Sequence, residues 1–129
     1  NRDDLMAYQL AVAFTREVYR GVGQSPGATA DLRYRGHLFE AASGGESNIA
    51  EGWHRYDARQ IRLFLNYALG SLAEGRRRLE DGVHRKYFTA ADVADGIRLA
   101  SRAIGATTRL RESLKPFVPD KKKKRPRQD

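Results

Sequence analysis

The sequence predicts an all-α protein, an antiparallel up-down-up-down four-helix bundle, on three observations. Apolar residues recur at alternating steps of three and four in four separate stretches, the spacing that lines one face of a helix. Short turn-forming runs separate those stretches, and short connections make sequential helices neighbours. No segment alternates apolar and polar residues with period two, so nothing argues for a strand.

The first helix carries Leu5, Tyr8, Val12, Thr15, Tyr19 and Val22 on one face and runs out at Gly21 and Gly23. Ser25-Pro26-Gly27 reads as a turn, because Gly tolerates positive φ and Pro disfavours helix before itself. The second helix resumes around Thr29 to Asp31 and lines its inner face with Leu38, Ala41, Gly45, Asn48 and Gly52. Gly44-Gly45 inside it costs about 1 kcal/mol per Gly relative to Ala, which leaves two explanations: close approach of another helix, or a kink. The kink is favoured at this stage.

Asp57-Ala58-Arg59-Gln60 has the form of a capping box and opens the third helix. Ile61, Leu65, Ala68, Leu72, Gly75 and Leu79 form its seam, widened by Phe64, Leu69 and Val83. Thr89 to Asp92 caps a fourth helix with Val93, Ile97, Ala100, Ile104, Thr107 and Leu114 inward, until Pro116 stops it. The domain is therefore expected over residues 1–118, with a disordered basic tail over 119–129.

At 129 residues the chain is long enough for one core that buries about two-thirds of the unfolded surface. It has no Cys, which excludes disulfides and thiolate chemistry and fits a reducing, cytoplasmic setting. No apolar run reaches the roughly 20 residues of a membrane span. Net charge is +8, and the last ten residues supply half of it. The body draws its positive charge almost wholly from Arg, whereas Lys121-Lys122-Lys123-Lys124-Arg125 is a block of like charge that cannot bury apolar surface.

Asn48-Ile49-Ala50-Glu51-Gly52 with Arg55, then Phe64-Leu65-Asn66 and Ala68-Leu69-Gly70-Ser71-Leu72-Ala73-Glu74, resembles the four-helix-bundle family encoded in intervening sequences of bacterial 23S ribosomal RNA genes. That family is similar in turn to the accessory proteins of diversity-generating retroelements. The resemblance extends to Leu5 through Tyr19 and covers most of residues 5–116. It implies an antiparallel bundle, a homo-oligomeric ring such as a pentamer, and RNA or reverse-transcriptase partners. The chain departs from the family at Ser43-Gly44-Gly45-Glu46, where a Pro-containing turn is usual, and this is why a kink is favoured there.

Candidate chemistry is sparse. His37, His54 and His84 lack the i, i+3 or i, i+4 spacing of a helical metal pair, so no metal and no cofactor are expected. Ser43 to Ser47 lacks the Lys of a phosphate loop. Glu51 and Glu74 could pair for acid-base work, but a structural role is the stronger reading, as it is for Asn48, Trp53 and Asn66. Asn48 and Asn66 are expected to hold helix register through buried hydrogen bonds.

Basic clusters are the best functional signal. Arg98, Arg102 and Arg109 share a face of the fourth helix; Arg55, Arg59 and Arg62 open the third, and Arg76, Arg77 and Arg78 crowd its end. Together with Lys121, Lys122, Lys123, Lys124 and Arg125 they form the expected nucleic-acid contacts, since phosphate binding grows with each cation engaged. The expectation is a non-enzymatic oligomer that binds RNA or a ribonucleoprotein. The alternative is a protein-interaction scaffold, such as an accessory subunit docking an acidic reverse transcriptase.

Overall fold

A computed structural model describes residues 2–114, with side chains from residue 4. The expected boundary at Val118, the stop at Pro116 and the block Lys121 to Arg125 lie outside the described residues. Within them the elements are α1 (Arg2–Gly23), α2 (Pro26–Ala30), α3 (Leu32–Trp53), α4 (Ala58–His84) and α5 (Ala90–Ser113). No strand occurs among the described residues.

Five helices replace the expected four because Ser25-Pro26-Gly27 opens a short helix. Ser25 Oγ accepts from the Ala28 N–H at 3.1 Å, and Pro26 takes the first helical position, where its missing N–H costs nothing. Asp31 ends α2 and caps α3, accepting from the Tyr34 N–H at 3.1 Å. Asp57 caps α4 through the Arg59 N–H at 2.9 Å, while the reciprocal capping box forms at α5, between Thr89 and Asp92. At the end of α4, Tyr87 N–H returns to the Gly82 carbonyl at 2.9 Å and Lys86 N–H to Val83 at 3.0 Å. This double closure needs a left-handed residue, and Lys86 supplies it at φ 70° where Gly is the usual choice.

The four long helices close a cycle in which α1 packs on α3 and α5, and α4 packs on α3 and α5. Between α3 and α4, Tyr34 Oη donates to the Arg78 carbonyl at 2.6 Å, Gly45 lies against Leu72, and Gly52 lies against Phe64. Positions rise on α3 as their partners fall on α4. Between α1 and α3 the pairs are Tyr8 with Trp53, Thr15 with Ala42, and Tyr19 with Phe39.

The core runs through Phe14, Val18, Leu38, Ile49, Leu65, Leu72, Leu79, Ala100, Ala103 and Leu110. Full burial of one such Leu or Phe is worth about 1.5–3 kcal/mol. The inner faces expected for α3 and α4 match the buried residues, with Asn48, Ile61, Phe64, Leu69 and Val83 at the margin. For α1 the expected face is rotated by about one residue. Ala7, Ala11, Phe14, Val18 and Val22 are buried, whereas Leu5 and Tyr19 are about half exposed and Tyr8 and Val12 lie at the margin. Two alanines without exposed surface let α1 settle close to its neighbours, which turns the bulkier stripe outward.

The Gly44-Gly45 pair resolves as close approach rather than as the favoured kink. Helix α3 runs unbroken through it, and a Cβ at Gly45 would stand 2.6 Å from Leu72 Cδ2. A Cβ at Gly44 would stand 2.6 Å from Ser71 Oγ. The helix propensity given up at these positions is offset by packing of α4 against the bare backbone.

Candidate nucleic-acid interface

The arginines singled out by the sequence fall on different faces, and those faces differ in how far carboxylates neutralise them. On the α3/α4 side, Arg55 pairs with Glu51 and lies over the Phe64 ring at 4.7 Å. Glu74 holds both Arg77 and Arg78, the latter at 2.5 Å. These i, i+3 and i, i+4 pairs sit at the surface and contribute little to stability.

Glu51 and Glu74 thus engage arginines nearby in sequence, not partners on a facing helix. Asn48 Nδ2 donates to the Gly44 carbonyl at 2.8 Å, within its own helix, so the expected cross-helix lock is not made there. Asn66 does bridge helices, accepting from Arg111 Nη1 at 3.0 Å, but it is exposed rather than buried. A polar amide at the edge of a bundle can reach a neighbour without entering the core. Trp53 is 44% exposed and tilts against Tyr8, with ring centroids 5.5 Å apart.

On α1 and α5 two arginines are paired at i, i+3. Arg20 pairs with Glu17 at 2.5 Å, and Arg98 with Asp95 at 3.0 Å. The hydrogen bond from Arg20 holds the Glu17 carboxyl below its ordinary range, against the opposing effect of burial. Asp92 is also held low, chiefly by the Thr89 N–H that it accepts at the start of α5.

Exposed arginines without an ion pair among the described residues occur on all four long helices, with Arg16 on α1 and Arg33 on α3. Arg59, Arg102 and Arg109 are exposed and make no ion pair among the described residues. Between α4 and α5 lies an open groove of about 670 Å³ lined by Gly70, Ala73, Glu74, Arg76, Arg77, Glu80, Ile97 and Ser101, so two carboxylates share it with two guanidinium groups. Arg76 Nη1 spans it to Ser101 Oγ at 3.1 Å, and Arg111 crosses to Asn66 one stretch further along. The small side chains lower the groove floor, while the guanidinium groups stand at its walls. Such an arrangement can accept phosphate oxygens as charge-assisted hydrogen-bond acceptors.

Sequence reasoning missed Arg111, because it lies four residues beyond Thr107, on the edge of the inward face rather than on the Arg98-Arg102-Arg109 row. It also missed a polar clamp at one end of the bundle. Tyr87 Oη donates to Asp31 Oδ2 at 2.5 Å, Ser25 Oγ donates to the Tyr87 carbonyl at 2.8 Å, and Arg85 lies 5.4 Å from the Tyr34 ring centroid. The Tyr87 hydrogen bond, the Tyr34 N–H and Arg85 hold the Asp31 carboxyl below its ordinary range. The clamp joins α2 and α3 to the α4–α5 connection, and nothing about its spacing in sequence announces it.

Among the described residues, no group of three or more His, Asp or Glu side chains gathers to hold a metal, and no helix is long and apolar enough to cross a membrane. No curated protein and no solved structure shows significant similarity to the chain. The family described as 23S rRNA-intervening sequence protein, however, matches residues 3–107, which takes in α1 to α4 and most of α5. An all-helical chain with the Asn48 to Glu74 signature spread along α3 and α4 belongs to the family of 23S rRNA-intervening sequence proteins.

Proposed function

We propose that this protein is a non-enzymatic, oligomeric, antiparallel up-down-up-down four-helix bundle that binds RNA or a ribonucleoprotein through its arginine surfaces. The opposed numbering of the helix contacts supports the antiparallel reading. The observation that supports RNA binding is the number of exposed arginines without an ion pair among the described residues, Arg16, Arg33, Arg59, Arg102 and Arg109, together with the groove that Arg76 spans. The family's name, which ties its members to ribosomal RNA genes, points the same way. Glu51 and Glu74 are occupied by arginines, which favours the structural role over acid-base work. A cytoplasmic location goes with an RNA partner.

Binding of this kind is electrostatic and largely independent of base sequence, and the affinity falls steeply with salt. Titration of labelled RNA at two salt concentrations, with the full chain and with a form ending at Val118, is expected to show salt-sensitive binding by both and stronger binding by the full chain. Undetectable or salt-insensitive binding by both would remove the proposal.

A second reading, a scaffold that docks itself or a partner such as a retroelement reverse transcriptase, draws on the α1/α3 side. There Leu5, Tyr8, Tyr19, Phe39 and Trp53 form a partly exposed apolar and aromatic strip. A homo-oligomer, with a pentameric ring as the form expected from the family resemblance, would use that strip or the α3/α4 signature residues as its contacts.

A further inference from the structure

We propose that the α3–α4 corner seats single-stranded RNA, with Tyr56 as a stacking platform and Arg59 and Arg62 as phosphate contacts. This rests on the RNA-binding reading above and narrows it to one place and one form of RNA.

Tyr56 is 102% exposed, so its ring is covered on neither face. Every other tyrosine of the chain touches another ring: Tyr8 on Trp53, Tyr19 on Phe39, Tyr34 on Tyr87, and Tyr67 on Phe64. A turn residue in water gains nothing for the fold from an aromatic ring, and Gly, Asn or Asp suit turns better. The bare ring is instead a flat apolar surface of the kind on which an unpaired base stacks.

Arg55 is accounted for by Glu51 and the Phe64 ring, whereas Arg59 and Arg62 are poorly explained by stability. They stand at or near the start of α4, where the helix dipole opposes positive charge. Nε of Arg55 and Nε of Arg62 are shielded from solvent and yet have no acceptor. Arg62 makes no ion pair among the described residues, so no carboxylate of the bundle holds its guanidinium. Arg59 is exposed and makes no ion pair among the described residues. The one carboxylate in the turn, Asp57, accepts from the Arg59 N–H.

Geometry selects the form of RNA. In an A-form duplex the bases are stacked on one another and the deep groove is closed to side chains, so a lone ring on a projecting turn has nothing to stack on. A single strand can turn one base onto Tyr56 while the adjoining phosphates meet the arginines.

The test is fluorescence anisotropy with a labelled single-stranded RNA of about a dozen nucleotides, site-sized for one platform, and with its duplex. The proteins are the full chain, Tyr56→Ala, Tyr56→Phe and Arg59→Ala. Tyr56→Ala is expected to weaken single-strand binding about tenfold with an unchanged salt slope, as loss of one stacked base requires. Tyr56→Phe is expected to bind as the parent does, and duplex binding should be unaffected by either. Arg59→Ala should reduce the salt slope by about one. If the parent binds RNA with salt dependence and Tyr56→Ala binds the single strand equally well, or weakens strand and duplex alike, the corner is not the seat, and RNA binding elsewhere stands. If the parent binds neither RNA, both this inference and the reading beneath it fall.

Discussion

At the scale of single residues, the most informative positions are those where propensity and packing disagree. Gly45 lies in the middle of α3, where Ala would be favoured by about 1 kcal/mol. A methyl group there would stand 2.6 Å from Cδ2 and 2.8 Å from Cγ of Leu72, and Leu72 is fully buried and cannot swing away. Overpacking of this sort costs about 1–3 kcal/mol, so it outweighs the gain in propensity. Gly45→Ala is expected to lose about 1–2 kcal/mol in urea denaturation, whereas Gly70→Ala, with open space around its Cβ, should gain about 0.5–1 kcal/mol. A stabilised Gly45→Ala would return the pair to the kink explanation. The sequence marked this position as anomalous but could not decide between the two causes, since the atom responsible belongs to a residue 27 positions away on another helix.

At the scale of elements, the α2–α3 corner and the α4–α5 connection hold each other through Asp31, Tyr87, Ser25 and Tyr34. The Asp31 carboxyl is depressed first by the Tyr87 hydroxyl, then by the Tyr34 N–H and by Arg85. A depressed carboxyl contributes stability that is present above its unfolded value of about 4 and is lost as pH falls through the folded value. Thermal unfolding followed by circular dichroism should therefore show Tm falling below about pH 4. Asp31→Asn is expected to lower Tm at pH 7 and to flatten that acid limb. An acid limb unchanged in Asp31→Asn would assign it to Glu17 and Asp92, which are also held low. At the opposite limb, Tyr34 is raised chiefly by burial and Tyr87 chiefly by its bond to Asp31. Their contribution is full below about pH 10 and declines above it. The helices and most of their ends were legible from periodicity and capping residues. The clamp was not, because side chains 56 and 62 positions apart in sequence meet only after the bundle closes.

At the scale of the whole molecule, apolar and aromatic side chains stay exposed on more than one side. The α1/α3 side exposes Leu5, Tyr19 and Trp53, and the α4 surface adds Leu63 and Tyr67, more aromatic surface than a bundle in water gains from leaving uncovered. Multi-angle light scattering is expected to return a multiple of the 14.6 kDa chain mass, and Trp53→Ala should shift the population toward the single chain while helicity is retained. A parent that scatters as one chain would leave the scaffold reading without its assembly. Self-association would also raise the affinity for RNA without any new contact, because each copy brings its own charge of +8 to the same polymer.

The amino-acid sequence by itself determined the helical class, the inward seams of α3 and α4, the capping of α5, the basic balance and the family, because each is written in local spacing, composition or motif. Tertiary structure alone decided which face of α1 is buried, that Gly44-Gly45 admits a neighbour, that the signature polar residues meet arginines at the surface, and which cations stay uncompensated. Those outcomes depend on how closely helices approach and on which charges end beside one another, and such distances between remote residues exist only in the folded chain.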